Sequence, residues 1–242
     1  MSLDFVTHVQ RPGLRESEEL WRQWPEFMLH DDLAGERWGQ LYERFGELQL
    51  WGLDASTGEL VSKVNCVPAA LDPEDLPDAG WREALRSAID DDHAPTALCA
   101  LQILVSEERR GEGLSAVALG EMRRRGLEHG FADLVAPVRP TLKSLYPLVP
   151  AERYAAWVRE DGLPFDPWLR VHARAGARLV GVCHGSMQVP GTVAEWEEWT
   201  GMTFPESGDY VVPGALTLVR IDREADLGLY VEPNVWMHHR LS

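Results

Sequence analysis

Long apolar runs are missing from this 242-residue chain. Nothing approaches the roughly 18 consecutive apolar residues that a membrane-spanning helix needs, so no membrane partner is expected. The opening MSLDFVTHVQ lacks a basic segment followed by an apolar core, which argues against a secretory signal. Cysteine is scarce. The three present, Cys66, Cys99 and Cys183, stand far apart among apolar neighbours. They read as buried free thiols in a reducing, cytoplasmic compartment and not as a disulfide frame. The eight histidines form no HxxxH or HxxEH pattern, so no metal is expected. Positive charge is short too: 23 Lys and Arg against 39 Asp and Glu leave a net charge of −16. Such a surface repels a nucleic-acid backbone, and no long basic run offsets it, which excludes nucleic acid as a partner. The acidity serves solubility, or it gathers cationic small molecules such as amines.

What is present is an ordinary globular composition, 45% apolar and 26% charged. With no internal repeat and no low-complexity linker, the chain reads as one domain over residues 1–242. It carries insertions at about 71–95 and 141–164 and an extension from about 190. Phe5 to Val9 alternates as a first strand. Glu16 to Phe27 and Glu36 to Phe45 carry apolar residues at helical spacing. "LQLWGLDASTGELVSKVNCV" is two β-rich runs around the turn Asp54 to Gly58, a hairpin. Gly80 to Ile89 is a short helix inside the first insertion. Ala97 to Val105 is apolar apart from Gln102, as a strand covered on both faces should be. A helix from Leu114 to His129, a strand from Phe131 to Val138, a helix opened by Asp166-Pro167, and a strand from Arg178 to Val189 follow.

The stretch "LVSEERRGEGLS", Leu104 to Ser115, leaves a strand, passes Gly111 and Gly113, and enters a helix. Such a turn aims backbone N–H groups and a helix dipole at one point, which suits an anion. It is neither the Rossmann fingerprint, since position 116 is Ala, nor a Walker loop, since no Gly-Lys-Ser/Thr follows. Strand, glycine turn and long helix resemble the acyl-CoA-binding motif of the GNAT N-acetyltransferase superfamily. The preceding hairpin and "WLRVHARAGARLVGV", Trp168 to Val182, resemble that family's neighbouring elements. Two positions depart from its pattern: Glu108 stands where Gln or Arg is usual, and Gly176 is followed by Ala177 in place of Phe.

The resemblance implies an α/β (α+β) fold with a mixed central sheet, splayed parallel strands and helices on both faces. It also implies acetyl-CoA as co-substrate and a small-molecule amine as acceptor, attacked directly in a ternary complex; a homodimer is compatible with it. By the same resemblance, Ile103, Leu104 and Val105 would pair with the pantetheine arm. Arg109, Arg110, Gly111, Glu112, Gly113, Leu114 and Ser115 would hold the pyrophosphate. A backbone N–H near Leu104 or Val105 would polarise the thioester carbonyl, a contribution of ~3 kcal/mol in comparable sites.

The departing thiolate needs a proton. Related enzymes commonly draw it from a tyrosine four residues before the late glycine, where this chain has His172; Tyr146 is a second candidate. A cationic His172 would serve best. No carboxylate lies within Ala97 to Val105, so a base on that strand is excluded. Asp91, Asp92 and His93 end the first insertion and could reach a substrate mouth, with Asp92 as the substrate contact, or they form a solvated acidic loop. Trp157 and Trp168 could wall an acceptor pocket. Cys99 is too apolar in its surroundings to carry an acyl group. The acids of the first insertion predict a negative mouth that attracts a cationic amine; Arg139, Lys143 and Arg153 would select a carboxylate-bearing acceptor instead. A catalytically silent acyl-CoA-binding protein on the same fold is the rival reading.

Overall fold

The computed structural model describes residues 2–16, 20, 23–90 and 92–241. The helix expected over Glu16 to Phe27 falls partly outside them, as does Asp91. On its described flanks the chain makes short 3-10 turns at Pro12–Glu16 and Glu26–His30.

The sheet starts with β1 (Leu3–Thr7), β2 (Gln49–Asp54), β3 (Leu60–Ala69) and β4 (Ala97–Val105), joined in antiparallel order. β5 (Asp133–Val138) is parallel to β4, but only over Leu98–Leu134 and Cys99–Val135. Beyond that point the two strands part, as the family resemblance implied. One residue of β4, Leu101, opposes nothing on β3; this bulge bends the strand where it leaves β5.

The region read as an extension from about 190 enters the sheet. β9 (Leu227–Arg240) pairs with β6 (Arg178–Gly191) along one edge. Its other edge pairs with β8 (Val219–Asp222) at Leu227–Leu229 and with β5 at Val235–Arg240. β7 (Gly208–Tyr210) completes the sheet beside β8. Residues 230–234 are therefore left without a strand on the β5 side, and that gap opens where β4 and β5 separate.

Helices cover both faces. On one, α1 (Asp32–Arg44) and α2 (Gly80–Asp90) bury Leu41, Tyr42, Trp81 and Leu85 against Trp51, Val67, Cys99 and Trp236. On the other, α3 (Leu114–Glu128) and α5 (Pro167–Arg174) bury Ala118, Met122 and Leu169 against Leu50, Leu98, Leu134 and Met237. Each fully buried side chain of this size contributes roughly 1.5–3 kcal/mol, more than the ~1 kcal/mol of a typical cap. Caps set where the helices begin: Asp31 accepts from Ala34 N at 2.9 Å, and Asp166 accepts from Trp168 N and Leu169 N. Asp31 also accepts from Arg82 and from Gln188 N, tying α1 to α2 and β6. α4 (Ala151–Ala155) lies in the second insertion, and α6 (Val193–Thr200) opens with a Thr192/Glu195 capping box. The three cysteines are buried and free. Burial pushes the Cys66 and Cys183 thiols up to about 12 and that of Cys99 well above its ordinary value. No described helix is long and apolar enough to cross a membrane.

Candidate active site

A cavity of about 1050 Å³ starts at the glycine turn, runs along β4 past the opening between β4 and β5, and ends under α1 and α2. At its first end, Gly111 and Gly113 adopt φ of +88° and +79°, left-handed conformations that favour glycine. Gly113 caps α3. The N–H groups of Gly111, Gly113, Leu114 and Ser115 meet no backbone acceptor among the described residues, whereas those of Arg110, Glu112 and Ala116 do. Four free donors and a helix N-terminus thus face one space, and a Cβ at either glycine would meet nothing within 4 Å. Arg109 lines the cavity with its guanidinium engaged by Asp54 at 2.8 Å and Glu112 at 2.8 Å. The Ser56 hydroxyl, and then Arg109, hold the Asp54 carboxyl below its ordinary range, so that pair stays charged. Arg110 bonds Gln23 and Glu107.

The middle of the cavity is the free edge of β4. Ser106 N donates to Val61 O and Ser62 Oγ donates to Leu104 O, so residues 104 and 106 turn their backbone groups toward β3. By the alternation of an antiparallel ladder, Ile103 and Val105 present theirs to the open side. The carbonyl-polarising N–H expected near Leu104 or Val105 is therefore available from Val105 or Ile103, not from Leu104.

Across the cavity, α5 carries His172, 1% exposed, with Trp168 edge-on to its ring at 4.4 Å. His172 Nδ1 lies 2.9 Å from Nε2 of His239 on β9, while its Nε2 is buried without a partner. Burial, and then His239, push His172 down to about 3. Burial, and then Arg123 and His238, push His239 down to about 4. Both rings are neutral at pH 7. The cationic His172 that would best serve as an acid is not available in this environment. Because these folded-state values lie below the ordinary 6.5, the unfolded chain binds more protons across that interval, and stability must fall as pH drops from about 6.5 toward 3. His8, lowered by burial and Arg15, adds to the trend. His184, raised by its bonds to Glu152 and then Asp78, opposes it from an exposed position. A lower urea midpoint at pH 5 than at pH 7, flattened in a His172→Leu/His239→Leu double variant, is the expected result.

The far end is aromatic. Trp24, Trp38 and Trp81 line it with Met28 and Met187, and Trp38 stacks on Trp81 at 5.9 Å. Gln102 also lines it; its Oε1 is buried and unpartnered. Arg139, the residue after β5, reaches into the gap on β9 and pairs with the fully buried Glu232 at 2.9 Å. Glu232 also accepts from Tyr230 Oη and Asn234 Nδ2.

Of the residues singled out from sequence, Ile103, Leu104, Val105, Arg109, Arg110, Gly111, Gly113, Leu114, Ser115, Trp168 and His172 line this one cavity. Glu112 does not; it braces Arg109. Tyr146 does not either, being packed among Tyr154, Trp157 and Phe165. Asp92 is exposed and off the wall, and none of the described acids of the first insertion lines the cavity. Asp90 pairs with Arg37, Glu74 with Arg178, and Asp78 with His184. The mouth is therefore not negative: Glu232 is the acid on the described wall, against Arg15, Arg109, Arg110 and Arg139. Lys143 is buried, bonding Tyr146 O and Leu216 O, and Arg153 is exposed elsewhere. Sequence reasoning missed Trp24, Trp38, Trp81, Glu232, Asn234 and His239. Among the described residues no group of three or more His, Cys, Asp or Glu could hold a metal.

No family model matches the chain. It is 32% identical over 245 residues to the arginine N-acetyltransferase avaD of Aspergillus versicolor, covering 89% of this chain and 84% of that protein. The loading GNATL domain of CurA from Lyngbya majuscula superposes with a TM-score of 0.62 at 14% identity, over 100% and 98% of the two chains. The GphF GNAT-like decarboxylase, solved with isobutyryl-CoA, superposes with a TM-score of 0.57 at 16% identity over the whole of both. At those identities the two structures speak for the fold alone.

Proposed function

The chain belongs to the GNAT superfamily of N-acetyltransferases, and from that membership we propose that it transfers an acetyl group from acetyl-CoA to the amine of a small molecule within a ternary complex. The observation that supports this reading is the continuity of the cavity, from four free backbone donors, along an open strand edge, to an aromatic chamber. The donors of Gly111, Gly113, Leu114 and Ser115 hold the pyrophosphate, with Arg109 and Arg110 adding positive potential. The edge groups of Ile103 and Val105 pair with the pantetheine arm, and one N–H polarises the thioester carbonyl. Acetyl-CoA supplies the activated acyl group and a thiolate as leaving group. His172, being neutral, offers the leaving sulfur a hydrogen bond from Nε2–H in the tautomer whose Nδ1 accepts from His239. Trp38 and Trp81 shield the acceptor amine, which attacks in its uncharged form; the N–C bond forms as the C–S bond breaks, and the proton shed by the nitrogen ends on the departing thiolate. The arginine N-acetyltransferase relative supports a nitrogen acceptor of amino-acid size.

Turnover of acetyl-CoA with a panel of amines and amino acids tests the reading, and turnover with none of them would leave only a binding protein. His172→Ala should lower kcat several-fold while acetyl-CoA affinity, read by calorimetry, stays within about twofold. Because His172 titrates near 3, the acid limb of kcat/KM between pH 6 and 8 should belong to the acceptor and persist in that variant. Equal kcat in parent and variant across the range would remove His172 from the chemistry.

A further inference from the structure

We propose that the acceptor carries a carboxylate and that Arg139 holds it, making Arg139 the residue that selects an amino acid over a simple amine. The inference rests on the transferase reading above and assigns its acceptor class.

Arg139 is built to be held still. Its Nε bonds both oxygens of Glu232, at 3.1 and 2.9 Å, and Nη2 donates to Gly214 O at 2.6 Å. The guanidinium lies over the Trp24 ring at 5.7 Å. The Tyr230 hydroxyl adjoins the guanidinium on its buried side; the bonds to Glu232 and Gly214 use Nε and Nη2, and the side chain, 21% exposed, forms part of the cavity wall. A guanidinium fixed on two sides with one edge left open offers directed donors to an oxyanion at little cost in side-chain freedom.

Glu232 cannot compete for a cationic ligand. Its oxygens are taken by Arg139, Tyr230 Oη at 2.9 Å and Asn234 Nδ2 at 3.1 Å, and it is fully buried. No other carboxylate lines the described cavity. Ligand N–H groups instead meet the buried, unpartnered Gln102 Oε1 on the bulged stretch of β4. One open donor edge and one open acceptor atom in the same aromatic chamber match a zwitterion: a carboxylate at Arg139 and nitrogen donors at Gln102.

The test pairs each amino acid with the amine it gives on losing its carboxylate: arginine with agmatine, lysine with cadaverine, phenylalanine with phenethylamine. Binding is followed by calorimetry with and without saturating CoA, on the intact chain. At least one amino acid should bind tenfold or more tightly than its matched amine. That ratio should collapse toward one in Arg139→Met/Glu232→Gln, a double variant that avoids leaving a buried carboxylate without its cation. Arg139→Lys, which keeps the charge without the fork, should retain part of the preference. Amines bound as well as their amino acids, a ratio that survives the double variant, or no binding of any pair overturns the anchor. CoA heats in the same titrations keep the outcomes separate: absent CoA binding counts against the transferase reading, whereas absent discrimination with CoA bound counts against Arg139 alone.

Discussion

Gly113→Val is expected to weaken acetyl-CoA binding more than tenfold while the protein stays folded. Gly113 sits at φ +79° as the cap of α3, and an added Cβ meets no atom within 4 Å. The substitution therefore creates no clash in the unliganded protein. Its cost is the strain of a left-handed β-branched residue, about 1–2 kcal/mol. Gly113 lines the cavity beside the N–H groups of Gly111, Leu114 and Ser115, so the valine methyls should occupy room that the proposed pyrophosphate needs. Gly111→Val, at φ +88°, should behave alike. Gly120→Ala on the same helix, also without a neighbour within 4 Å but with an ordinary backbone, is the control and should bind as the parent does. Calorimetry with acetyl-CoA, beside a thermal melt for each variant, decides it. Parent-like affinity in both valine variants would mean that the turn is only a turn.

Glu232→Ala should give the largest loss of stability among single changes at the cavity. Removing one member of a buried, hydrogen-bonded ion pair typically costs 3–5 kcal/mol, because the partner charge is left uncompensated. Arg139 retains access to the cavity, which places the expected loss near the lower figure, about 3 kcal/mol. For a chain of this size that corresponds to a melting temperature lower by roughly 6–12 °C. Tyr230 Oη and Asn234 Nδ2 lose an acceptor at the same time. Glu232→Gln keeps an acceptor for both and should cost less. The exposed pair Arg220–Asp209, with side chains 69% and 49% accessible, sets the contrast: Asp209→Ala should shift the melt by no more than about 2 °C. Equal shifts for Glu232→Ala and Asp209→Ala would show that the buried pair contributes nothing beyond a surface one.

The glycine-turn half of the cavity was legible because its signal is local. Gly111 and Gly113 lie two residues apart between an apolar run and a helical period, and a turn of that kind is written in a dozen consecutive residues. The observed β4, Ala97–Val105, coincides with its expected bounds for the same reason. The aromatic half is assembled across the chain. Trp38 comes from α1, Trp81 from α2, Arg139 from the end of β5, and Glu232 and Asn234 from β9. No periodicity links those positions; they meet because β9 pairs with β5 and β6 and because α2 packs on the sheet. His172 and His239 lie 67 positions apart, so nothing near His172 announced the neighbour that helps keep it neutral. The acids of the first insertion misled for a related reason. Composition placed them near a mouth, but Asp90 and Glu74 are spent on Arg37 and Arg178. A charge count does not say which way a loop faces.

The placement of β9 between β5 and β6 also bears on the order of assembly during synthesis. β5 and β6 are joined in the finished sheet only through β9, a strand made after both of them. Until residues 227–240 emerge from the ribosome, β5 shows an unpaired edge and β6 has no partner at all. Local contacts such as the β2–β3 hairpin form early, but the loop-closure entropy of the β5–β9 pairing, nearly a hundred residues apart, must be met late. The nascent protein thus carries an open, strongly apolar edge, Leu134-Val135-Ala136, from the time β5 is made until β9 follows it. The aromatic end of the cavity, whose Glu232 and Asn234 ride on β9, can therefore close only after that last strand has been made.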